Sequence, residues 1–172
     1  MSGQDIPAIN NVIATKFQKI ETDLSSKGGI GELFQRLLTG IEKEFDVPFV
    51  WLSIIRRPET ESLLGLLMKS NFLRDRLNII DPVPFLEIVP DDAHPLLANG
   101  DLKPFFRLMP PARKYFVRSI AVSPLFLHDR LIGSINHGDA TPGRYHPEMD
   151  TALLGRLARS VSERLGRFLP AL

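Results

Sequence analysis

The sequence has no cysteine and almost no excess of charge of either sign. Its 172 residues include 21 Lys and Arg against 20 Asp and Glu, which gives a net charge of +1. Without cysteine the chain can form no disulfide, no cysteine-ligated zinc site and no thiol nucleophile. A nearly neutral chain also lacks the surplus of Lys and Arg that a general nucleic-acid binder places against phosphates. We therefore expect no nucleic-acid partner.

Long apolar runs are absent as well. The longest such stretches, for example residues 63–68, fall far short of the ~20 residues that a membrane span needs. The first residues contain neither the basic segment nor the apolar segment of a signal peptide. These absences predict a cytoplasmic protein with no membrane association. The length and the apolar share of 44% are typical of one globular domain with a sizeable core.

A first helix is predicted over residues 6–25. Apolar residues recur there in two series with a spacing of seven, and together they are Ile6, Ile13, Phe17, Ile20 and Leu24. This narrow stripe has two interpretations, namely packing on the helix's own domain or a two-helix seam with a second copy of the chain. Residues 1–28 are accordingly interpreted as an N-terminal helix and possible dimer seam, and residues 29–172 as one domain.

The rest of the chain predicts a sheet with helices. A broad apolar stripe indicates a second helix over Ile30–Phe45, and the β-branched and aromatic run Phe49–Ile55 indicates a strand. Residues 118–127 and 130–137 predict a hairpin, and a last helix is expected to begin at Pro147. Between these parts we expect only a short strand or helix at 63–68 and a strand at 85–89.

Half of the fourteen prolines lie within residues 82–111. Proline removes backbone donors and is excluded from central strands, so this segment is predicted to consist of loops and short helices. It is also rich in large apolar side chains, which favours a lid packed over one face of the sheet. The order of elements predicts an α+β fold, with the N- and C-terminal helices on one face of an antiparallel sheet and the lid over the other.

Side-chain alternation along the strands predicts one apolar face and one face with small or polar residues. The apolar face is expected to meet the helices, and it would consist of Val50, Leu52, Ile54, Ile120, Val122, Leu131, Gly133 and Ile135. The second face would lie under the lid and form a pocket wall with a few hydrogen-bonding groups. An alternative is that the small residues only let the lid approach closely. The candidate wall consists of Trp51, Ser53, Ser119, Ser123, Ser134, Asn136 and His137.

Four segments of the chain match a known family, namely SIAVSPL at 119–125, LIGSI at 131–135, RYHPEMD at 144–150 and, less specifically, HPLLANG at 94–100. Through these segments the chain resembles the GAF domains, and more narrowly a bacterial GAF-like family known as domain of unknown function 484. It implies terminal helices on one face of the sheet and a small-molecule pocket on the other. GAF-type methionine sulfoxide reductases and bilin-binding photoreceptors depend on cysteine, which this chain lacks. The Asn-Lys-Phe-Asp-Glu set of cyclic-nucleotide-binding GAF domains is not recognisable here.

No sequence pattern indicates catalysis. The chain has no G-x-S-x-G elbow and no glycine-rich phosphate loop, and its histidines lack the spacing of metal ligands. Four arginines of the last helix (Arg156, Arg159, Arg164 and Arg167) are more simply a solvated face than a binding patch. We therefore predict no catalytic residue, no metal and no cofactor.

The predicted function is a non-enzymatic GAF-like regulatory domain that binds a small molecule or a protein as a homodimer. The alternative is an interaction module whose pocket is filled by its own lid.

Overall fold

A computed structural model describes residues 5–24, 28–90, 92, 94–110 and 116–169, and of residues 5–10 it describes the backbone alone. The centre of the fold is a five-stranded sheet in the order β2-β1-β5-β4-β3. Its strands are β1 (Phe49–Ile55), β2 (Leu77–Ile80), β3 (Leu96–Asn99), β4 (Ser119–Leu127) and β5 (Arg130–Asp139).

Six α-helices and two short 3₁₀ helices surround this sheet in the described part of the chain. The α-helices are α1 (Asp5–Leu24), α2 (Ile30–Phe45), α3 (Glu61–Met68), α4 (Asn71–Arg74), α5 (Pro82–Ile88) and α6 (Ala152–Phe168). The 3₁₀ helices are Pro58–Thr60 and Lys103–Leu108. No helix within the described ranges has the length and apolar character needed to cross a membrane.

The sheet is mixed rather than wholly antiparallel. Strands β1 and β5, β4 and β5, and β3 and β4 pair antiparallel, whereas β1 and β2 pair parallel. The parallel pair arises because α3 and α4 form a crossover between the two strands, so that β2 runs in the same direction as β1. Strand β2 was not predicted, since its four residues are too few for a clear alternation pattern.

Two apolar clusters cover the two faces of the sheet. On one face α1, α2, α3 and α6 pack against inward residues of β1, which include Val50, Leu52 and Ile54. On the other face the lid packs against Trp51 and Ile55 of the same strand. The predicted division of β1 into two faces is therefore confirmed, with the terminal helices on the predicted face.

Two sequence predictions within the lid are wrong. Residues 85–89 do not form a strand, because Pro82 and Pro84 lie in the first turn of α5, where proline fits a helix, and Asp81 precedes it. The lid contains the expected short helices, but it is not built of loops and helices alone, since it also contains β3, which pairs with residues 119–122 of β4.

The last helix begins later than predicted. Residues up to 150 form turns after Pro147, and α6 starts at Ala152. The carboxylate of Asp150 accepts a hydrogen bond from the backbone N–H of Ala152 at 2.9 Å, which supports the start of the helix there.

The described seven-spaced residues of α1 lie in or against the core of this chain. Phe17, Ile20 and Leu24 are buried there, and Ile13 packs partly buried against the same cluster. This burial favours the first interpretation of the stripe, in which the helix packs on its own domain. The side chain of Ile6 and residue 25, with which this helix was predicted to end, lie outside the described residues. The homodimer stays a prediction.

Candidate functional site

Four of the predicted pocket-wall residues do lie together under the lid. They form one buried hydrogen-bonded network, which is Trp51, Ser53, Ser134 and Asn136. Ser134 donates to the amide oxygen of Asn136 at 2.8 Å, and the amide nitrogen of Asn136 donates to Ser53 at 2.9 Å. At one end the network is bonded to the lid.

The lid occupies the polar groups of this wall. The hydroxyl of Ser53 and the indole N–H of Trp51 both donate to the carbonyl oxygen of Leu108, at 2.7 and 2.6 Å. Apolar lid residues, among them Phe85 and Met109, belong to the same cluster as Trp51. Two of the hydrogen-bonding groups predicted to line a ligand pocket are therefore bonded to the lid of this chain.

The other three candidates lie on the opposite face of the sheet. Residues paired across antiparallel strands share a face, and His137 pairs with Ala121 and Val50, whereas Asn136 pairs with Val122 and Trp51. Ser119, Ser123 and His137 therefore point towards the helices. The prediction of one shared wall is wrong on this point. The faces of β4 are offset by one residue from the assumed alternation, and on β5 His137 directly follows Asn136, so their side chains point to opposite faces. The ligand-binding role of the seven residues stays a prediction.

A separate cavity on the helix side brings polar groups together. We call it the helix-side pocket; its volume is about 690 Å³, within the usual range for small-molecule sites. It lies between α1, the end of β5 and the segment that leads into α6. Its lining residues are Asn11, Ile13, Ala14, Lys16, Phe17, Phe45, Leu97, His137, Arg144, Tyr145, Met149, Asp150, Leu153 and Leu154.

His137 and Tyr145 form a neutral pair at the wall of the helix-side pocket. The phenol oxygen of Tyr145 lies 3.5 Å from Nδ1 of His137, a long hydrogen bond. His137 is buried, and burial, helped by the nearby Arg144 charge, lowers its pKa from 6.5 to about 4. Burial likewise raises the pKa of Tyr145 to about 12. Both side chains are therefore uncharged at neutral pH and can donate hydrogen bonds.

Arg144 holds the segment that carries Tyr145. Its guanidinium donates to the carboxylate of Asp139 at 3.3 Å and to the backbone carbonyl of Phe45 at the end of α2. Asp139 also accepts a hydrogen bond from the backbone N–H of Thr141 at 2.8 Å. The loop after β5 is thus fixed to both the sheet and α2, which positions Tyr145 beside His137.

Sequence reasoning found His137 but not its partners. Arg144 and Tyr145 lie in the segment that carries the family resemblance, yet nothing in their spacing indicates a contact with β5. The only sequence signal was an aromatic and a cationic residue in a short loop after a buried strand. Their convergence depends on the fold of residues 140–150 back over the end of β5.

A second groove lies between the hairpin and α6. We call it the hairpin groove; it has a volume of about 740 Å³. Arg159 and Arg167 contribute to its lining, together with His128, Asp129 and Glu163. Its charges are mixed in sign, and the nearby Arg156 instead forms an ion pair with Glu21 of α1 at 3.5 Å.

Together the mixed sheet, the terminal helices on one face and the lid on the other define an α+β domain of the GAF-like fold class. Among solved structures, the chain is similar to the X-ray structure of free methionine-R-sulfoxide reductase from Neisseria meningitidis in complex with its substrate. The TM-score is 0.60 and the sequence identity 17%, over 91% of this chain and 89% of that chain. No protein-family model matches the chain, and no curated protein matches it in sequence. The similarity shows the predicted GAF-like fold.

This neighbour overturns one sequence prediction. The chain was expected to be a non-enzymatic regulatory domain because it lacks recognisable catalytic motifs. A protein with the same fold over nine-tenths of this chain is an enzyme that acts on a small molecule. The fold therefore gives no ground for a non-enzymatic assignment, and that prediction is corrected.

Proposed function

We propose that this chain is an enzyme that acts on a small organic molecule, with the helix-side pocket as its active site. The observation that carries the proposal is the buried, neutral His137 beside Tyr145 at the wall of a cavity of about 690 Å³. Buried titratable groups with displaced pKa values in a cleft are typical of functional sites. A fold neighbour that acts on a small molecule adds support.

The chemistry proposed for this site is electrophilic activation by neutral donors. A histidine with a pKa of about 4 is a weak base at neutral pH, so it suits donation to an acceptor oxygen better than proton abstraction. If Tyr145 donates to Nδ1 of His137, the Nε2–H of the ring is left as the donor for a substrate oxygen. A carbonyl or carboxyl oxygen is the acceptor that such a donor polarises. Thiol chemistry is unavailable, because the chain has no cysteine.

The test is a screen of small carbonyl and carboxyl compounds, with binding and turnover followed by NMR. Selective ¹³C-methyl labelling of methionine gives four signals, and Met149 lines the pocket while Met109 lies in the lid core. We expect substrates to shift the Met149 signal. The Tyr145→Phe variant keeps the ring and removes the hydroxyl, so it should weaken turnover about tenfold or more.

Thr22→Val is the matched control, since it removes a hydroxyl on the exposed side of α1, outside the pocket. It should leave binding and turnover unchanged. A screen in which no compound shifts Met149, or in which Tyr145→Phe equals the parent protein, contradicts the proposal. Membership of the domain of unknown function 484 family, a bacterial origin, the homodimer and the cytoplasmic location stay predictions from the sequence.

A further inference from the structure

The helix-side pocket combines an aromatic wall with cationic groups. The rings of Phe17 and Phe45 lie with their centroids 4.7 Å apart, and both line the pocket. Further apolar lining comes from α6 and β3, through Leu153 and Leu97 for example. This part of the pocket suits an apolar or aromatic body of a ligand.

The charges of the pocket are not equally available. The guanidinium of Arg144 already faces the carboxylate of Asp139 at 3.3 Å. The carboxylate of Asp150 accepts the hydrogen bond from Ala152 at the start of α6. Arg144 is therefore engaged in an ion pair, whereas Asp150 keeps its negative charge at an exposed position while one of its oxygens accepts the backbone N–H.

Lys16 differs from them. Among the described residues it forms no salt bridge, and its ammonium group lies 5.8 Å from the centre of the Phe45 ring. The nearby carboxylate of Glu44 interacts with Lys16 at longer range, but it is bonded to Lys19 at 2.9 Å. A half-buried cation over an aromatic wall, without a carboxylate in contact, is suited to receive an anion from a ligand.

We propose that the ligand of the helix-side pocket is an organic carboxylate with an apolar tail. Lys16 binds the carboxylate, while the tail packs against Phe17 and Phe45. This inference rests on the proposed function and names the substrate class of the same site. The hydroxyl of Tyr145 and the ring of His137 supply neutral donors for a further acceptor oxygen of the ligand.

Three probes with one tail separate the effect of head-group charge from that of apolar packing. They are 4-phenylbutanoate, 4-phenylbutan-1-ol and 4-phenylbutylamine, which carry a negative, a neutral and a positive head. Titrations follow the ¹³C-methyl signal of Met149 in the parent protein. We expect the acid to bind about tenfold more tightly than the alcohol, because one charge-assisted hydrogen bond adds about that much affinity. The amine should bind least.

The Lys16→Gln variant removes the charge and keeps most of the side-chain length. It should reduce the affinity for the acid about tenfold and leave the affinity for the alcohol unchanged, which also reports that the pocket is intact. Lys43→Gln is the control, because Lys43 is exposed on α2 and does not line the pocket. It should change neither affinity.

The outcomes distinguish this inference from the proposed function. Equal or tighter binding of the amine, or no effect of Lys16→Gln on the acid, overturns the carboxylate assignment while ligands at Met149 still support the site. A shift at Met109 instead of Met149 places the ligand under the lid and also overturns it. If neither the three probes nor the wider screen shifts Met149, the assignment and the proposed function both fail.

Discussion

His137 is a titratable ring enclosed on the helix side of the sheet. It belongs to β5, the central strand of the five, and it is buried between that sheet face and the loop that carries Tyr145. Burial disfavours the charged imidazolium, and the Arg144 charge adds to the effect, so the pKa is lowered to about 4. Protonation of His137 therefore affects both the stability of the fold and the charge of the proposed site.

Stability should depend on pH through His137. Since its pKa is lower in the folded than in the unfolded chain, the unfolded chain binds more protons between pH 6.5 and 4. The free energy of unfolding should therefore fall as the pH is lowered through this range, by roughly 2 kcal/mol between pH 7 and pH 5. Urea denaturation at the two pH values measures this for the parent protein and for His137→Gln, in which the fall should be smaller by about that amount.

The control for that experiment is His94→Gln, because the side chain of His94 is 86% exposed. It should retain the pH dependence of the parent protein. Carboxylates contribute to the pH dependence of all three proteins, so the difference between variants isolates His137. An unchanged pH dependence in His137→Gln would contradict the assignment of a buried neutral ring.

Gly133 is a position where the sheet leaves no room for a side chain. A Cβ atom there would overlap the backbone carbonyl oxygen of Ser53 and come within 3.0 Å of Cα of Ile54. Both contacts are backbone atoms of the paired strand β1, which cannot move aside without breaking the ladder. We expect Gly133→Ala to reduce the free energy of unfolding by about 1–3 kcal/mol or more.

Thermal or urea unfolding of Gly133→Ala provides the measurement. Gly143→Ala is its partner variant, since a Cβ at Gly143 meets nothing within 4 Å and the residue lies in an exposed loop. That change should shift stability by no more than about 0.5 kcal/mol. Similar stabilities for the two variants would show that the strands adjust around residue 133.

At the scale of elements, one carbonyl group of the lid accepts two buried hydrogen bonds from the sheet. Leu108 ends the 3₁₀ helix Lys103–Leu108, and its carbonyl oxygen accepts from both Trp51 and Ser53. Behind these lies Asn136, which links Ser53 to Ser134. Such a buried network is stabilising only when every member has its partner.

We expect Asn136→Ala to destabilise the contact between lid and sheet. The change leaves the buried hydroxyl of Ser134 without its acceptor and removes the donor to Ser53, which costs roughly 2–3 kcal/mol. The chain has a single tryptophan, and Trp51 belongs to this network. Its fluorescence therefore reports the lid, and urea titration should show an earlier transition in the variant.

Asn78→Ala supplies the comparison, because the half-buried Asn78 donates to the carbonyl of Arg107 at 2.8 Å in a solvent-exposed hydrogen bond. Loss of an exposed hydrogen bond should lower stability by less than about 1 kcal/mol. Equal losses of stability in the two variants would mean that the buried network stabilises the contact between lid and sheet no more than an exposed hydrogen bond does.

Elements with a strong local pattern were predictable, and elements that depend on partners were not. The apolar stripe of α2 and the β-branched run of β1 predict their bounds correctly. The hairpin was also recognisable, with His128 and Asp129 in the left-handed conformation at its turn. In contrast, β2 is four residues long, and it forms because its backbone pairs in parallel with β1.

At the scale of the whole molecule, the register between strands decides which residues meet. The pairing shifts between Leu125 and Phe126, which leaves Ile132 without a residue opposite it. As a result Leu131 belongs to the lid cluster and Ile132 to the helix cluster, the reverse of the predicted alternation. A bulge of this kind leaves no clear mark in the sequence, because both residues are apolar.

The sequence by itself determined a cysteine-free chain with an α+β fold and helices on one face of its sheet, because hydrophobic periodicity is a local property that each segment carries alone. The GAF-like fold was implied by the resemblance of four segments to that family. Only the tertiary structure decided that Trp51 and Ser53 donate to the lid and that His137 faces the helices, in a cavity also lined by Tyr145 and Lys16. These outcomes depend on strand register and on the return of residues 140–150, which are set by contacts between distant segments. Because the chain has no cysteine, any chemistry in the helix-side pocket must use groups other than a thiol. The helix-side pocket is the place to test for function.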